Sequence, residues 1–351
     1  MSIRYHKNVL INSVGALFLE AGLDEPIAKA VAEILVEADL LGYSTHGLQF
    51  VPAYLSGIEG GDTKLSGIPR IIHDQESALV LDAQKLPGQW SVLHALKIGL
   101  ERIKKIPLVT ISIRRSGNIS CLATYVRRAA DQGLIGILMA SGPGNAGVAP
   151  HRAKAPLLST NPIAFAVPAQ NGMILADTST ASSSMRAIER AKRENTKLPE
   201  GRIINYSGKA STDPDDILSS PAGAILPMGG LDLGHKGFAF SILVEALTSG
   251  LSGAGRSSSD QYGNNVFLML LEPDGFSGAS SLKSEMEHLA TRCREMPAID
   301  PDNPVRIPGD RALALFEEQS REGIVLHPEI IGLLEPCFRR YRLTPPVPIS
   351  R

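Results

Sequence analysis

The sequence predicts an α/β protein: a mixed β-sheet domain covered by helices, flanked by a discontinuous helical domain drawn from both chain ends. Three observations predict it. Short apolar runs alternate with helix-length segments from about residue 70 to 275. Both termini show apolar residues at helical spacing. The glycine-rich hexapeptide that follows a strand does not open a helix, so it gives no support to a Rossmann sheet. The expected boundaries are 1–68 (helical), 69–275 (mixed sheet) and 276–351 (helical, packing with 1–68).

Residues 4–22 and 26–43 read as two amphipathic helices. In the second, Ile27, Val31, Ile34, Leu35, Ala38 and Leu41 form one apolar stripe, and Asp24, Glu25 and Pro26 suit a helix entry. That helix runs out at Gly42-Tyr43-Ser44-Thr45-His46-Gly47, and a third follows over 48–58. Strands are expected at 70–73, 78–82, 108–113, 134–140, 163–167, 173–177 and 266–271. Helices are expected between them at 88–105, 120–132, 184–197 and 236–252. The last is apolar nearly all round, which predicts burial in the sheet domain. Helices at 280–295, 309–323 and 328–338 precede a loose tail, PPVPISR.

Composition excludes several classes. A chain of 351 residues buries about 75% of its unfolded surface, so its core needs no staples. Lys and Arg number 35 against 36 Asp and Glu, which leaves no electrostatic footprint for nucleic acid or an anionic membrane. Cys121, Cys293 and Cys337 form no CxxC pair, and the N-terminus lacks a signal-peptide core. No apolar run reaches the length of a membrane span. A soluble, reduced, cytoplasmic globular protein is expected.

Gly142-Pro-Gly-Asn-Ala-Gly147 matches GxGxxG, but Pro150, Pro156 and Pro162 block the helix that a dinucleotide fingerprint requires. The hexapeptide reads as a loop. His46 sits at a helix exit among small residues, where an imidazole can exchange a proton or simply cap the helix. Thr45 beside it offers a hydroxyl. Gly229-Gly-Leu-Asp-Leu-Gly-His-Lys-Gly237 places glycines, His235 and Lys236 at an expected helix start, which suits either an anion site or a tight turn. Thr160 and Asp177 mark strand ends, where α/β proteins hold ligands or turn the chain; Asp177 either accepts from a ribose hydroxyl or holds a loop. Arg306 to Arg311 offers guanidiniums for phosphate or a helix cap at Asp310. The histidines show no metal spacing, and GxSxG is absent.

Taken in order, the motifs resemble the malate/L-lactate dehydrogenase type-2 family, with its sulfolactate and ureidoglycolate relatives. They are THGLQFVPAYL (45–55), DAQKLPGQ (82–89), RRSGNISCLATYVRRAADQGLIGI (114–137), STNPIAFAVPA (159–169), GGLDLGHKGFAFSILVEALTSGLSGA (229–254) and VRIPGD (305–310). The resemblance implies an NAD- or NADP-dependent oxidoreductase acting on 2-oxo and 2-hydroxy acids, a non-Rossmann dinucleotide fold and a homodimer. It implies His46 as general acid/base with Thr45 beside it, and Thr160 near substrate. It implies cofactor contacts from Asn118, Ile119, Ser120, Cys121 and Leu122, from Asp177, Thr178 and Ser179, from Gly229, His235 and Lys236, and from Arg306, Pro308 and Gly309.

Two positions depart from the family pattern. Phe50 stands where SHGVxR places a carboxylate-binding arginine, and Asn118 stands in a segment that commonly carries histidine. The substrate then lacks that carboxylate, is larger and more apolar, or meets another arginine: Arg186, Arg114 or Arg152. The alternative reading is a dinucleotide-binding member with weak or no dehydrogenase activity.

Overall fold

A computed structural model describes residues 3–349. In chain order, the first elements are β1 (Arg4–Tyr5), α1 (Lys7–Glu20), α2 (Glu25–Leu40), α3 (Val51–Glu59), β2 (Arg70–Gln75), β3 (Ala78–Asp82) and α4 (Gly88–Arg102). Next come β4 (Leu108–Ser116), α5 (Ala123–Asp131), β5 (Ile135–Ser141), β6 (Pro162–Ala169), β7 (Gly172–Ser179) and α6 (Met185–Arg193). Then follow β8 (Ile203–Ile204), β9 (Ala210–Ser211), α7 (Asp215–Leu218), β10 (Ala224–Ile225) and α8 (Gly230–Glu245). The chain closes with β11 (Asn264–Leu271), α9 (Ala279–Arg294), α10 (Asp310–Glu322), β12 (Ile324–Val325) and α11 (Pro328–Arg340).

The seven expected strands all form, in one mixed sheet of order β2-β3-β4-β11-β5-β6-β7. Only β3 and β4 pair in parallel, because α4 carries the chain back between them; every other neighbour is antiparallel. Along β11 the two faces alternate. Val266, Leu268 and Leu270 join the core under α4 and α5, while Phe267 packs with Met139 and with Val244 of α8 on the other face. Asp82, fully buried at the end of β3, is held by Arg114 and Arg115 from β4. Burial raises its pKa, but the hydrogen-bonded guanidiniums outweigh that and hold the carboxyl below its usual range.

A second core joins the two chain ends. Leu10, Val14, Phe18, Leu35 and Leu48 pack with Ile324, Ile330, Leu334 and Phe338. β1 pairs with β12, and buried Gln319 of α10 donates to the carbonyls of Asp39 and Leu40 at the end of α2. α9 instead packs against β6. Glu37 of α2 binds Arg127 and Arg128 of α5, which ties the helical part to the sheet beside the site.

Several expectations need correction. Residues 4 and 5 form a strand rather than a helix start, because the far end of the chain supplies their partner. The tail is not loose through residue 349, since the Ile349 amide donates to the Arg4 carbonyl; residues 350 and 351 lie outside the described residues. α8 begins at Gly230, so His235 and Lys236 are exposed in its second turn instead of forming its N-terminus. Nor is α8 buried: Leu231, Leu233, Phe240, Ile242 and Leu243 are all exposed. A small sheet of order β10-β8-β9 also appears, too short to show periodicity in the sequence.

Candidate active site

His46 ends a single 3₁₀ turn, Ser44–His46, between α2 and α3. The turn is anchored from beneath. The Leu48 amide donates to Asp39 Oδ2 at 2.8 Å, and Gly47 has no side chain to push that carboxylate away. Across the chain, Ser120 adopts a left-handed φ of 63° and its hydroxyl donates to the His46 carbonyl. Thr45 Oγ1 lies 2.9 Å from His46 Nδ1, which leaves Nε2 as the ring nitrogen free for a ligand.

The imidazole lines a cleft of about 300 Å³. Asn118, Ile119, Ser120 and Leu122 line it from the segment after β4, Thr160 from the loop before β6, and Asp177, Thr178 and Ser179 from the end of β7. Asp177 accepts from the Ala123 amide at 2.9 Å and from Cys121 Sγ at 3.4 Å. Burial raises the Asp177 carboxyl above its usual range. For His46, burial lowers the pKa; the Asp177 charge opposes this, and Arg186 adds to it. The net direction is downward, so the imidazole gives up a proton more readily than in water.

Other expected residues lie around this cleft. Cys121 is buried and reaches it only through Asp177. Phe50 is also buried, its ring 6.0 Å from that of His46 and stacked on Tyr54 at 5.4 Å. The Arg186 guanidinium sits over Phe50 at 4.9 Å from the ring centroid. Arg114 is committed to Asp82, and Arg152 is exposed on another loop. Tyr43, Ser141, Asn145, Ser159, Ser184 and Asn264 also line the cleft. Sequence reasoning missed them because each sits in a loop or at a strand end with no spacing signal of its own.

Two further cavities adjoin the cleft. One, of about 970 Å³, shares Thr178 and Ser179 with it and is lined by Gly229 and Gly230. Gly229 has φ 97°, and a Cβ there would fall 2.5 Å from the Leu233 carbonyl oxygen, so only glycine opens α8 this way. The other, of about 410 Å³, shares Tyr43 and is lined by Arg306 and Gly309. The Pro308 carbonyl accepts from the Leu175 amide and pins that loop to β7. His235 packs edge-on to His151, and neither it nor Lys236 lines the His46 cleft within one chain. Among the described residues, no cluster of His, Cys, Asp or Glu is arranged to hold a metal.

A family model described as malate/L-lactate dehydrogenase matches residues 6–335. The chain belongs to that family. It is 30% identical to a malate/(S)-sulfolactate dehydrogenase of Methanothermus fervidus, over 94% of each chain. It is 29% identical to a Δ1-pyrroline-2-carboxylate/Δ1-piperideine-2-carboxylate reductase of Pseudomonas syringae, over 90% of this chain and 91% of that one. Its fold matches the crystal structure of malate dehydrogenase from Entamoeba histolytica with a TM-score of 0.92 at 22% identity, covering 99% of this chain and 100% of that one. Membership of the malate/L-lactate dehydrogenase family supports a dehydrogenase-type oxidoreductase function and implies NAD or NADP as cofactor. No described helix is long and apolar enough to cross a membrane.

Proposed function

We propose that the protein transfers a hydride between a nicotinamide dinucleotide and a 2-oxo or 2-hydroxy acid, with His46 as general acid/base. The observation that carries this is the free Nε2 of an imidazole beside a buried carboxylate, in a cleft that shares lining residues with two larger cavities. The residues present fit a dinucleotide. The Gly230 amide donates to the Pro227 carbonyl, so the next amides of the first turn of α8, at Leu231 and Asp232, are those a phosphate would meet, and Arg306 adds a guanidinium from the other cavity. Asn118, Ile119, Ser120 and Leu122 with Asp177 to Ser179 form the wall that such a ligand would follow, and Thr160 lines the same cleft.

Nicotinamide, when bound, supplies the hydride that the carbonyl carbon accepts. His46 Nε2 gives its proton to the carbonyl oxygen, and the burial that lowers its pKa assists that release. Thr45 holds Nδ1 and so fixes the ring's orientation. Asp177 stabilises the imidazolium before transfer. Arg186, carried on the Phe50 ring, receives the substrate carboxylate; of the three candidate arginines it is the one placed beside the imidazole. The exposed apolar face of α8 supports a homodimer, and three scattered cysteines support a reduced, cytoplasmic setting.

His46→Ala tests the assignment. Turnover with 2-oxo acids should fall by about 10²- to 10⁴-fold while NADH or NADPH binding, followed by protein fluorescence, persists. Equal turnover in the variant would remove His46 from the chemistry. Tight cofactor binding with no turnover by the unaltered protein would favour the alternative reading of a binding protein.

A further inference from the structure

A separate cavity of about 170 Å³ lies next to the His46 cleft, and the reading above leaves it without a role. Phe18, Leu23, Val31, Ala53 and Ile58 give it one apolar wall, and Asp62, Thr63, Gln89 and Tyr262 add polar groups to the rest of its lining. Asn118 lines both spaces and therefore stands between them. Its Oδ1 accepts from the Tyr54 hydroxyl at 2.7 Å and from the Ser120 amide at 2.9 Å. The backbone beneath this residue is held by close packing: a Cβ on Gly88 would fall 2.4 Å from both the Gly117 and Asn118 carbonyl oxygens. If the Asn118 side chain turns aside, Tyr54 keeps a partner, because Gln89 Nε2 donates to its hydroxyl at 2.9 Å. That movement would cost the buried Ser120 amide its acceptor, so Asn118 is the side chain that divides the two spaces and must yield to a tail.

The cavity opens to solvent past exposed Ala53 and Asn118, so an apolar group entering it would displace water from its apolar wall. An apolar cavity of about 150 Å³ holds a benzene ring in another protein. The route from the imidazole is short. The His46 ring is 6.0 Å from Phe50, and Phe50 is 5.4 Å from Tyr54, which lines the cavity. At roughly 1.2 Å per bond of extended chain, with contact distance left at either end, a tail of about three to six bonds reaches from the carbonyl carbon to its lining. An anionic tail, such as that of oxaloacetate, would meet the like charge of Asp62 in this lining.

We propose that this cavity is the substrate's tail subsite, and that the preferred substrates are 2-oxo acids, or the matching 2-hydroxy acids, with a bulky apolar or phenyl side chain. The inference rests on the hydride-transfer reading. With the carboxylate on Arg186 and the carbonyl at His46, the side chain passes Asn118 and fills the space beside Ala53. Pyruvate and oxaloacetate leave it empty.

The test compares pyruvate, oxaloacetate, 4-methyl-2-oxopentanoate and 2-oxo-4-phenylbutanoate with NADH and with NADPH, and measures calorimetric binding of the first and last acids to the protein. The two apolar acids should show kcat/KM about 10- to 200-fold above the two small ones. Ala53→Phe, which fills the cavity, should lower that ratio at least tenfold. Turnover that favours pyruvate or oxaloacetate, with the ratio unmoved by Ala53→Phe, overturns the inference while leaving the hydride-transfer reading intact. If no acid is reduced, that reading fails, and binding decides the subsite alone: 2-oxo-4-phenylbutanoate binding no tighter than pyruvate overturns it.

Discussion

The carboxylate of Asp39 occupies the space that a side chain on residue 47 would need: a Cβ on Gly47 would fall 2.3 Å from Asp39 Oδ2. The same oxygen receives the Leu48 amide at 2.8 Å. The turn that presents His46 is therefore seated on a buried acid from α2, and residue 47 is glycine for space, since its φ of −98° suits any residue.

Gly47→Ala should disturb that seat. Overpacking of this kind costs about 1–3 kcal/mol, which denaturant unfolding would register, and turnover should fall with it because His46 moves. An alanine variant with native stability and native turnover would show that the seat yields freely.

Asp39 also predicts a pH dependence. Burial pushes its carboxyl up to about 7, with the Leu48 amide opposing, against 3.8 for an ordinary aspartate. A raised folded pKa means that the folded state holds the proton more tightly. Its contribution to stability is fully present below about pH 4 and is lost as pH rises through about 7, a span of at most about 4 kcal/mol. Asp39→Asn, whose amide oxygen can still accept from Leu48, should flatten that slope in melting curves taken from pH 4 to 8. Parallel slopes in the two proteins would assign the titration elsewhere.

Asp177 favours the charged imidazole of His46, whereas burial and Arg186 disfavour it. Asp177→Asn removes that support and should lower the His46 pKa further. In the reducing direction the protonated ring is the active form, so the falling limb of the rate profile should move to lower pH. A limb that stays in place or moves to higher pH would argue that Asp177 has no charge linkage to the ring.

Arg186→Met should raise KM for 2-oxo acids about 10- to 100-fold, a range kept modest because the guanidinium is partly solvated. Its present partner, Glu189, lies 2.8 Å away and competes with the substrate carboxylate. A neutral carbonyl compound serves as the control, since its KM should barely change. Equal changes for acid and neutral substrates would make Arg186 structural.

The segments most legible in the sequence are those whose signal is local. The strand that begins at Ala78 ends at Asp82 as expected, because an apolar run bounded by turn residues carries its own period. His46 stood out by its small neighbours, and GPGNAG was rejected because prolines are visible without coordinates. α8 shows the limit. Its apolar composition predicted burial, yet a helix that is apolar all round can leave one face for a partner, and composition does not say which partner.

By itself the sequence determined the order of the seven main strands and the long helices, the neutral charge balance and the small set of chemically capable residues, because these follow from neighbours a few positions apart. Tertiary structure alone decided that Arg186 lies over Phe50, 136 positions earlier in the chain, and that Asn118 divides two cavities. Such pairings depend on how strands order themselves in a sheet and where loops then meet. Nothing in the local period of a chain encodes those distances.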